Sequence, residues 1–173
     1  MEIIFKVVAG TDSVGSALRC FDVDEIQTDF VLISADVISN MKLDKVFEKH
    51  KRLRKSDSSV IMTSIFKKAA PHHRSRAGED ATILAVNKRT DQLLHLDNKG
   101  KNEIYLDTDL FKSADEIQIR YDLIDCRIDI CSPQVICLFQ DEFDWKGLFL
   151  CLSVFLFYFS FPFFKNNFIC IYF

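Results

Sequence analysis

The sequence predicts an α/β fold, a sheet with flanking helices and a β-hairpin, followed by an apolar C-terminal tail. Three observations predict it. Short, β-branched-rich apolar runs alternate with helical periodicity up to residue 66. Period-two alternation takes over after residue 80, between polar turns. Formal charge then all but vanishes, Lys165 being the single charged residue of 148–173. The opening succession of strand, helix, strand, helix and strand points to a parallel sheet with right-handed crossovers.

Residues 2–9 (EIIFKVVA) read as a buried strand, broken at 10–13, after which 14–21 (VGSALRCF) make a short helix. Residues 29–35 (DFVLISA) are a second buried strand ending at Asp36. The clearest helix is 43–55, with Leu43, Val46, Phe47, His50 and Leu53 on one face and charges elsewhere. Residues 59–66 (SVIMTSIF) give a third strand, and the polar stretch 67–80 is a loop. Residues 81–86 and 92–96 flank a polar turn and read as a hairpin, with another turn at 98–102. The 116–120 run alternates weakly. In 124–131 (IDCRIDIC) the alternation is clean: Ile124, Cys126, Ile128 and Ile130 share one face, and Asp125, Arg127, Asp129 and Cys131 the other. Ser132 and Pro133 open a last helix, whose buried face is Val135, Leu138 and Phe139.

The composition limits what such a fold does. With 173 residues, the chain is one domain or one domain plus an appendage. Twenty-two basic against 25 acidic residues argue against a module that neutralises nucleic-acid phosphates. Five glycines and three prolines exclude collagen-like or low-complexity sequence. Six cysteines without paired short spacings point to a reducing compartment. No internal repeat is present.

Few residues carry a chemical signature. Gly10 and Gly15 have phosphate-loop spacing, but Ser16 stands where the lysine is needed and Ala17 replaces the magnesium-binding hydroxyl, so a turn into a helix is the better reading. Asp36 follows a strand at its carboxyl end, where α/β sheets gather ligands. It reads first as a turn residue and second as a Mg²⁺ ligand for a nucleotide phosphate. His72, His73, Arg74 and Arg76 lack further metal ligands at fixed spacing and read as a solvated loop. The basic residues of 49–55 are an exposed helix face with the charge to dock an acidic partner. His50 belongs to the core or its boundary, and so does Cys126; an odd separation puts Cys126 and Cys131 on opposite faces. Asp22, Asp24 and Glu25, like Asp141, Glu142 and Asp144, read as solvated carboxylates.

The tail is a different polymer. Nine of the 17 phenylalanines lie between residues 149 and 173. Residues 148–164 are 17 positions without a charge, at the lower limit for a bilayer span. Pro162, the scarcity of flanking basic residues and the Phe-rich composition count against an anchor. Phe/Leu/Ser/Tyr-rich sequence matches translated T-rich non-coding DNA, so a retained intron or misplaced exon boundary is favoured over a membrane anchor.

Several segments together resemble one family, the epsilon subunit of eukaryotic translation initiation factor 2B. They are SVGSALR from Ser13, DFVLISADVISN from Asp29, the helix with Glu48-Lys49-His50, MTSIFK from Met62, and above all RYDLIDCRIDICSPQV from Arg120. The resemblance covers residues 1 to about 145 and stops at the Phe-rich tail, which divides the chain into 1–145, a partial nucleotidyltransferase-like domain, and 146–173, the tail. It implies an incomplete nucleotidyltransferase-like (Rossmann-like) mixed sheet, truncated at its N-terminal side and without the later β-helix and the C-terminal domain that carries guanine-nucleotide exchange. It further implies a cytosolic, non-enzymatic scaffold in translation initiation, with no catalytic residue and no cofactor. The implied partners are the other subunits of the exchange-factor complex, especially gamma, and translation initiation factor 2, with no direct nucleic-acid contact. Asp36 matches the family's metal-aspartate position, as a vestige, with Ala35 where a glycine is usual. Phe143 and Asp144 match a motif linked to contact with the substrate factor, with Glu142 in place of asparagine. The alternatives are a sugar-phosphate nucleotidyltransferase, and a protein held to a membrane through 148–164.

Overall fold

A computed structural model describes residues 3–10, 13–70, 73, 82–97, 105–106, 108–141 and 167–172. In chain order the elements are α1 (Val14–Leu18), a 3-10 turn (Val23–Glu25), β1 (Phe30–Ile33), α2 (Asp44–Ser56), β2 (Val60–Lys68) and β3 (Ile83–Asn87). They continue with β4 (Leu93–Asp97), α3 (Leu110–Ser113), β5 (Ile117–Arg120), β6 (Leu123–Cys131), α4 (Gln134–Asp141) and β7 (Asn167–Tyr172). Four strands form one sheet in the order β1-β6-β2-β7, and three form a second in the order β4-β3-β5.

The large sheet is mixed, not parallel. β1 and β2 run the same way, as a strand–helix–strand unit dictates, but β6 inserts between them and is antiparallel to both. β7 is parallel to β2 on its other side. β6 is suited to the interior because Ile128, Asp129, Ile130 and Cys131 are all buried. The outcome is the mixed sheet with flanking helices and a hairpin that the family resemblance implies.

Two expected strands change character. Residues 3–8 form no strand, and Ile3, Ile4, Phe5 and Val7 are 62–95% exposed. An apolar run becomes a strand only against a ladder partner, and here the segment is held otherwise: Lys6 Nζ binds the Glu25 carboxylate at 2.7 Å and sits 4.7 Å over the Phe21 ring. β1 is an edge strand with alternating half-buried and exposed residues, not a buried one. The helix expected at 14–21 is a five-residue turn capped by Ser13, whose Oγ accepts from the Ser16 N–H at 3.2 Å.

Other elements fall where periodicity places them. α2 buries Val46 and His50 and covers one sheet face, packing with Ile65, Ile128, Ile130 and the half-buried Cys126. The opposite face holds a larger cluster in which Met62, Phe66, Leu123 and Cys131 meet Leu18 of α1, Val135 and Phe139 of α4, and Leu84, Val86, Leu93 and Leu96 of the small sheet. In α4, Ile136 is fully buried and Leu138 only partly so. The hairpin closes where Asn87 N–H donates to Gln92 O at 2.8 Å, with Asp91 at φ 58°.

β6 contains an irregularity. Ser64 pairs with Asp129 and Phe66 with Asp125, so two steps along β2 face four along β6. Arg127 sits in that bulge at φ 54°. An even number of extra steps preserves the alternation, which is why Cys126, Ile128 and Ile130 stay on the α2 face and Cys131 on the other. The loop residues Pro71, His72, Arg74 and Arg76, the turn at 98–102 and the uncharged run 148–164 lie outside the described residues. Within the tail, Asn167–Tyr172 forms β7, an element that the periodicity reading does not contain.

Candidate functional site

Asp36 and Arg127 meet at the carboxyl end of β1. The Ser34 N–H donates to Arg127 O at 3.2 Å, and the Val37 N–H donates to Ser34 O at 3.1 Å, closing a turn over Ala35 and Asp36. The bulge re-aims the Arg127 side chain, as bulges beside functional sites do. Its own N–H donates to Asp125 Oδ1 at 2.8 Å, and its guanidinium pairs with the Asp36 carboxylate. The hydrogen bond from Ser34 and the charge of Arg127 hold the Asp36 carboxyl below its ordinary value, so it is ionised at neutral pH.

This donor set does not fit a magnesium ion. A hard cation at a nucleotide site needs one or two available carboxylates, and the Asp36 carboxylate is paired with the exposed Arg127 guanidinium. Among the described residues no group of three or more His, Cys, Asp or Glu side chains is placed to hold a metal.

The glycine pair forms a turn and cap. Gly10 is at φ +75°, Gly15 is buried in α1, and Ser13 Oγ accepts from the Ser16 N–H of the first helical turn. A helix of five residues offers little dipole.

A second polar cluster links α2 to the sheet. His50 is fully buried, with Nδ1 2.7 Å from Thr63 Oγ1 and Nε2 3.8 Å from Asp29 Oδ2. Arg54 pairs with the same Asp29 carboxylate. Burial lowers the His50 pKa, Asp29 opposing and Arg54 adding to the shift, so the ring is neutral and pins helix to strand. That matches a core histidine, not a base open to substrate.

The consequential polar residue is Asp129, which alternation alone assigns to a polar face. It lies opposite Leu32 on one side and Ser64 on the other, 6% exposed in the middle of the sheet. Burial chiefly, with the Asp125 charge adding and Ser64 opposing, pushes its carboxyl up to about 8. It therefore carries a proton at neutral pH. No local signal marks it, because its burial follows from the insertion of β6 between β1 and β2.

The remaining candidates are dispersed. Cys20, Cys126, Cys131 and Cys137 are thiols, and burial raises Cys126. On α2, Lys49 pairs with Asp91 at 3.1 Å, Lys51 lies 4.7 Å over the Phe47 ring, and Lys45, Arg52 and Lys55 are exposed. Asp22, Asp24, Glu25 and Asp141 are exposed, as expected of solvated carboxylates. His73 is seen through its N–H, which donates to Ala70 O at 2.9 Å. Glu142, Phe143 and Asp144 lie outside the described residues.

No protein-family model matches the chain. Among curated proteins, it is 43% identical over 150 residues to translation initiation factor eIF2B subunit epsilon of Dictyostelium discoideum, an alignment covering 86% of this chain and 21% of that protein. It is 40% identical over 139 residues to the protein of the same name in Schizosaccharomyces pombe, covering 79% of this chain and 20% of that protein. The chain spans about a fifth of the length of these curated relatives.

Proposed function

We propose that the chain, over the length it shares with the epsilon subunits of translation initiation factor eIF2B, belongs with them and acts in translation initiation as a non-enzymatic scaffold domain. In this reading it is part of an exchange-factor assembly in the cytosol, contacting the other subunits, gamma foremost, and translation initiation factor 2. Phe143 and Asp144 form part of the contact with that factor. Nucleotide exchange itself is not a property of these residues.

The observation that carries the non-enzymatic part is the pairing of Asp36 with Arg127. Nucleotidyl transfer to a sugar phosphate needs metal-assisted neutralisation of a triphosphate, and the carboxylate best placed to begin a metal site is paired with a guanidinium. The ionised state of Asp36 is the single feature that favours the transferase reading. Among the described residues no helix is long and apolar enough to cross a bilayer; the run 148–164, on which the membrane-held alternative rests, lies outside them.

Co-expression with a tagged gamma subunit is expected to recover the chain in a stoichiometric complex. The purified chain is expected to release no pyrophosphate from nucleoside triphosphate and sugar 1-phosphate with Mg²⁺. It is also expected to leave GDP release from initiation factor 2 at its basal rate. Pyrophosphate release would replace the scaffold reading by the transferase one, and accelerated GDP release would show that exchange resides in this chain.

A further inference from the structure

β1 is a bare edge of the large sheet. Among the described residues it pairs with β6 alone. Edge strands are commonly guarded by charge, proline or a bulge, and Phe30–Ile33 has none of these: the run is FVLI, and its register with β6 is unbroken. β5, at an edge of the small sheet, carries Arg120 within its four residues.

The phase of the hydrogen bonds defines what the β1 edge offers. Ser34 N–H donates to Arg127 O, which continues the register just past Ile33 and Ile128. Antiparallel strands bond through alternate residues, so Phe30 and Leu32 share that phase and turn their backbone groups to β6. The N–H and C=O groups of Val31 and Ile33 therefore point outward. Their side chains, opposite Ile130 and Ile128 on the α2 face, are themselves 36% and 50% exposed.

Such an edge is complementary to itself. A two-fold axis perpendicular to the sheet at Leu32 sets Val31 of one copy opposite Ile33 of the other, and the reverse, as hydrogen-bonded pairs. Leu32 then faces Leu32 as a non-hydrogen-bonded pair, and the Val–Ile cross-strand contacts cover both exposed side chains. An axis at Val31 would instead bring the Asp29 carboxylate opposite Ile33. The charges at the strand ends also agree with the Leu32 axis. Asp29 pairs with Arg54 and Asp36 with Arg127, so an acid–arginine pair of one copy meets an acid–arginine pair of the other, not a bare acid.

We infer that β1 is a self-association edge: two copies of this chain pair β1 with β1 antiparallel about Leu32, joining their four-stranded sheets into one.

Sedimentation equilibrium of the full chain is expected to show a mass that rises with concentration from one chain toward two. Val31→Lys, a change that the edge of the monomer tolerates, is expected to hold the mass at one chain. Ile4→Ser combined with Phe5→Ser, which alters a different exposed apolar run, is expected to leave the dimer in place. A second measurement does not depend on the first. A non-hydrogen-bonded antiparallel pair brings Cα atoms to about 4.5 Å, within disulfide reach. Leu32→Cys is therefore expected, on mild oxidation, to give a disulfide between the position-32 sulfurs of two chains, identified by peptide mapping. A chain that stays monomeric, a Val31→Lys chain that still dimerises, a dimer lost with the Ile4/Phe5 substitutions, or no 32–32 cross-link would each overturn the inference.

Discussion

At Asp129 and His50 two buried ionisable residues bias stability in opposite directions. Asp129 keeps its proton in the folded chain up to about pH 8, whereas the unfolded chain releases it near pH 4. Between those values the folded state binds more protons, so stability falls as pH rises. His50 is the reverse case: its folded pKa lies below the unfolded value, so the unfolded chain takes up a proton below about pH 6.5 that the folded chain refuses. Its contribution is present above pH 6.5 and is lost as pH falls. The two slopes offset one another below pH 6.5 and leave Asp129 alone above it. Urea unfolding is therefore expected to show a loss approaching ~2 kcal/mol between pH 6.5 and 8, at about 1.4 kcal/mol per pH unit for one proton. Asp129→Asn, which keeps a hydrogen-bonding partner for Ser64, is expected to flatten that decline and to be the more stable protein at pH 8. Arg127 supplies a backbone counterpart. A non-glycine residue at φ 54° costs on the order of 1 kcal/mol, and its exposed ion pair with Asp36 returns little. Arg127→Gly is expected to raise the unfolding free energy by about 0.5–1 kcal/mol in urea titrations. Of these residues the sequence made His50 legible, through its place on an amphipathic face. Asp129 was not, because alternation reports which face a residue takes and not whether that face is wet.

Elements defined by local pattern were readable, and those defined by a distant partner were not. α2, α4 and the β3–β4 hairpin follow from helical spacing and from alternation around a polar turn. The insertion of β6 between β1 and β2 leaves no local trace, since parallel direction and parallel adjacency give the same pattern in each strand. The same limit explains residues 3–8, as β-branched as β1 yet unpaired among the described residues. The topology makes a contrast between strands. β1 lies at the sheet's edge with Val31 reaching solvent, whereas its register partner Ile130 in β6 is fully buried. Val31→Lys is expected to shift stability by no more than about 0.5 kcal/mol, because charge is tolerated on an edge. Ile130→Ala is expected to cost roughly 2–4 kcal/mol through lost burial and the cavity left behind. Comparable effects from the two substitutions, read from urea midpoints at constant m-value, would contradict the placement of β6 in the interior.

For the molecule as a whole, the candidate site was legible as a position and illegible as a chemistry. Asp36 at a strand's carboxyl end was visible in the sequence, but the guanidinium that occupies it comes from a bulge 91 residues later. What the surface does follows from composition and exposure together. Ile3, Ile4, Phe5 and Val7 are exposed within one short segment of a chain whose net charge is only −3. Small net charge gives weak mutual repulsion, and contiguous apolar exposure of this kind is a self-association surface unless a partner covers it. The segment adds little to the fold it is attached to, since its anchoring contacts run through Lys6 and not through these four side chains. Self-association and stability should therefore separate. The double substitution Ile4→Ser and Phe5→Ser is expected to lower light scattering at fixed protein concentration while leaving the urea midpoint unchanged. Lys6→Ala, which removes the anchoring pair and leaves the apolar side chains in place, is expected not to reduce the scattering. A fall in the midpoint of the Ile4/Phe5 variant would mean that these residues are packed in solution, and that 3–8 belongs to the core rather than to the surface.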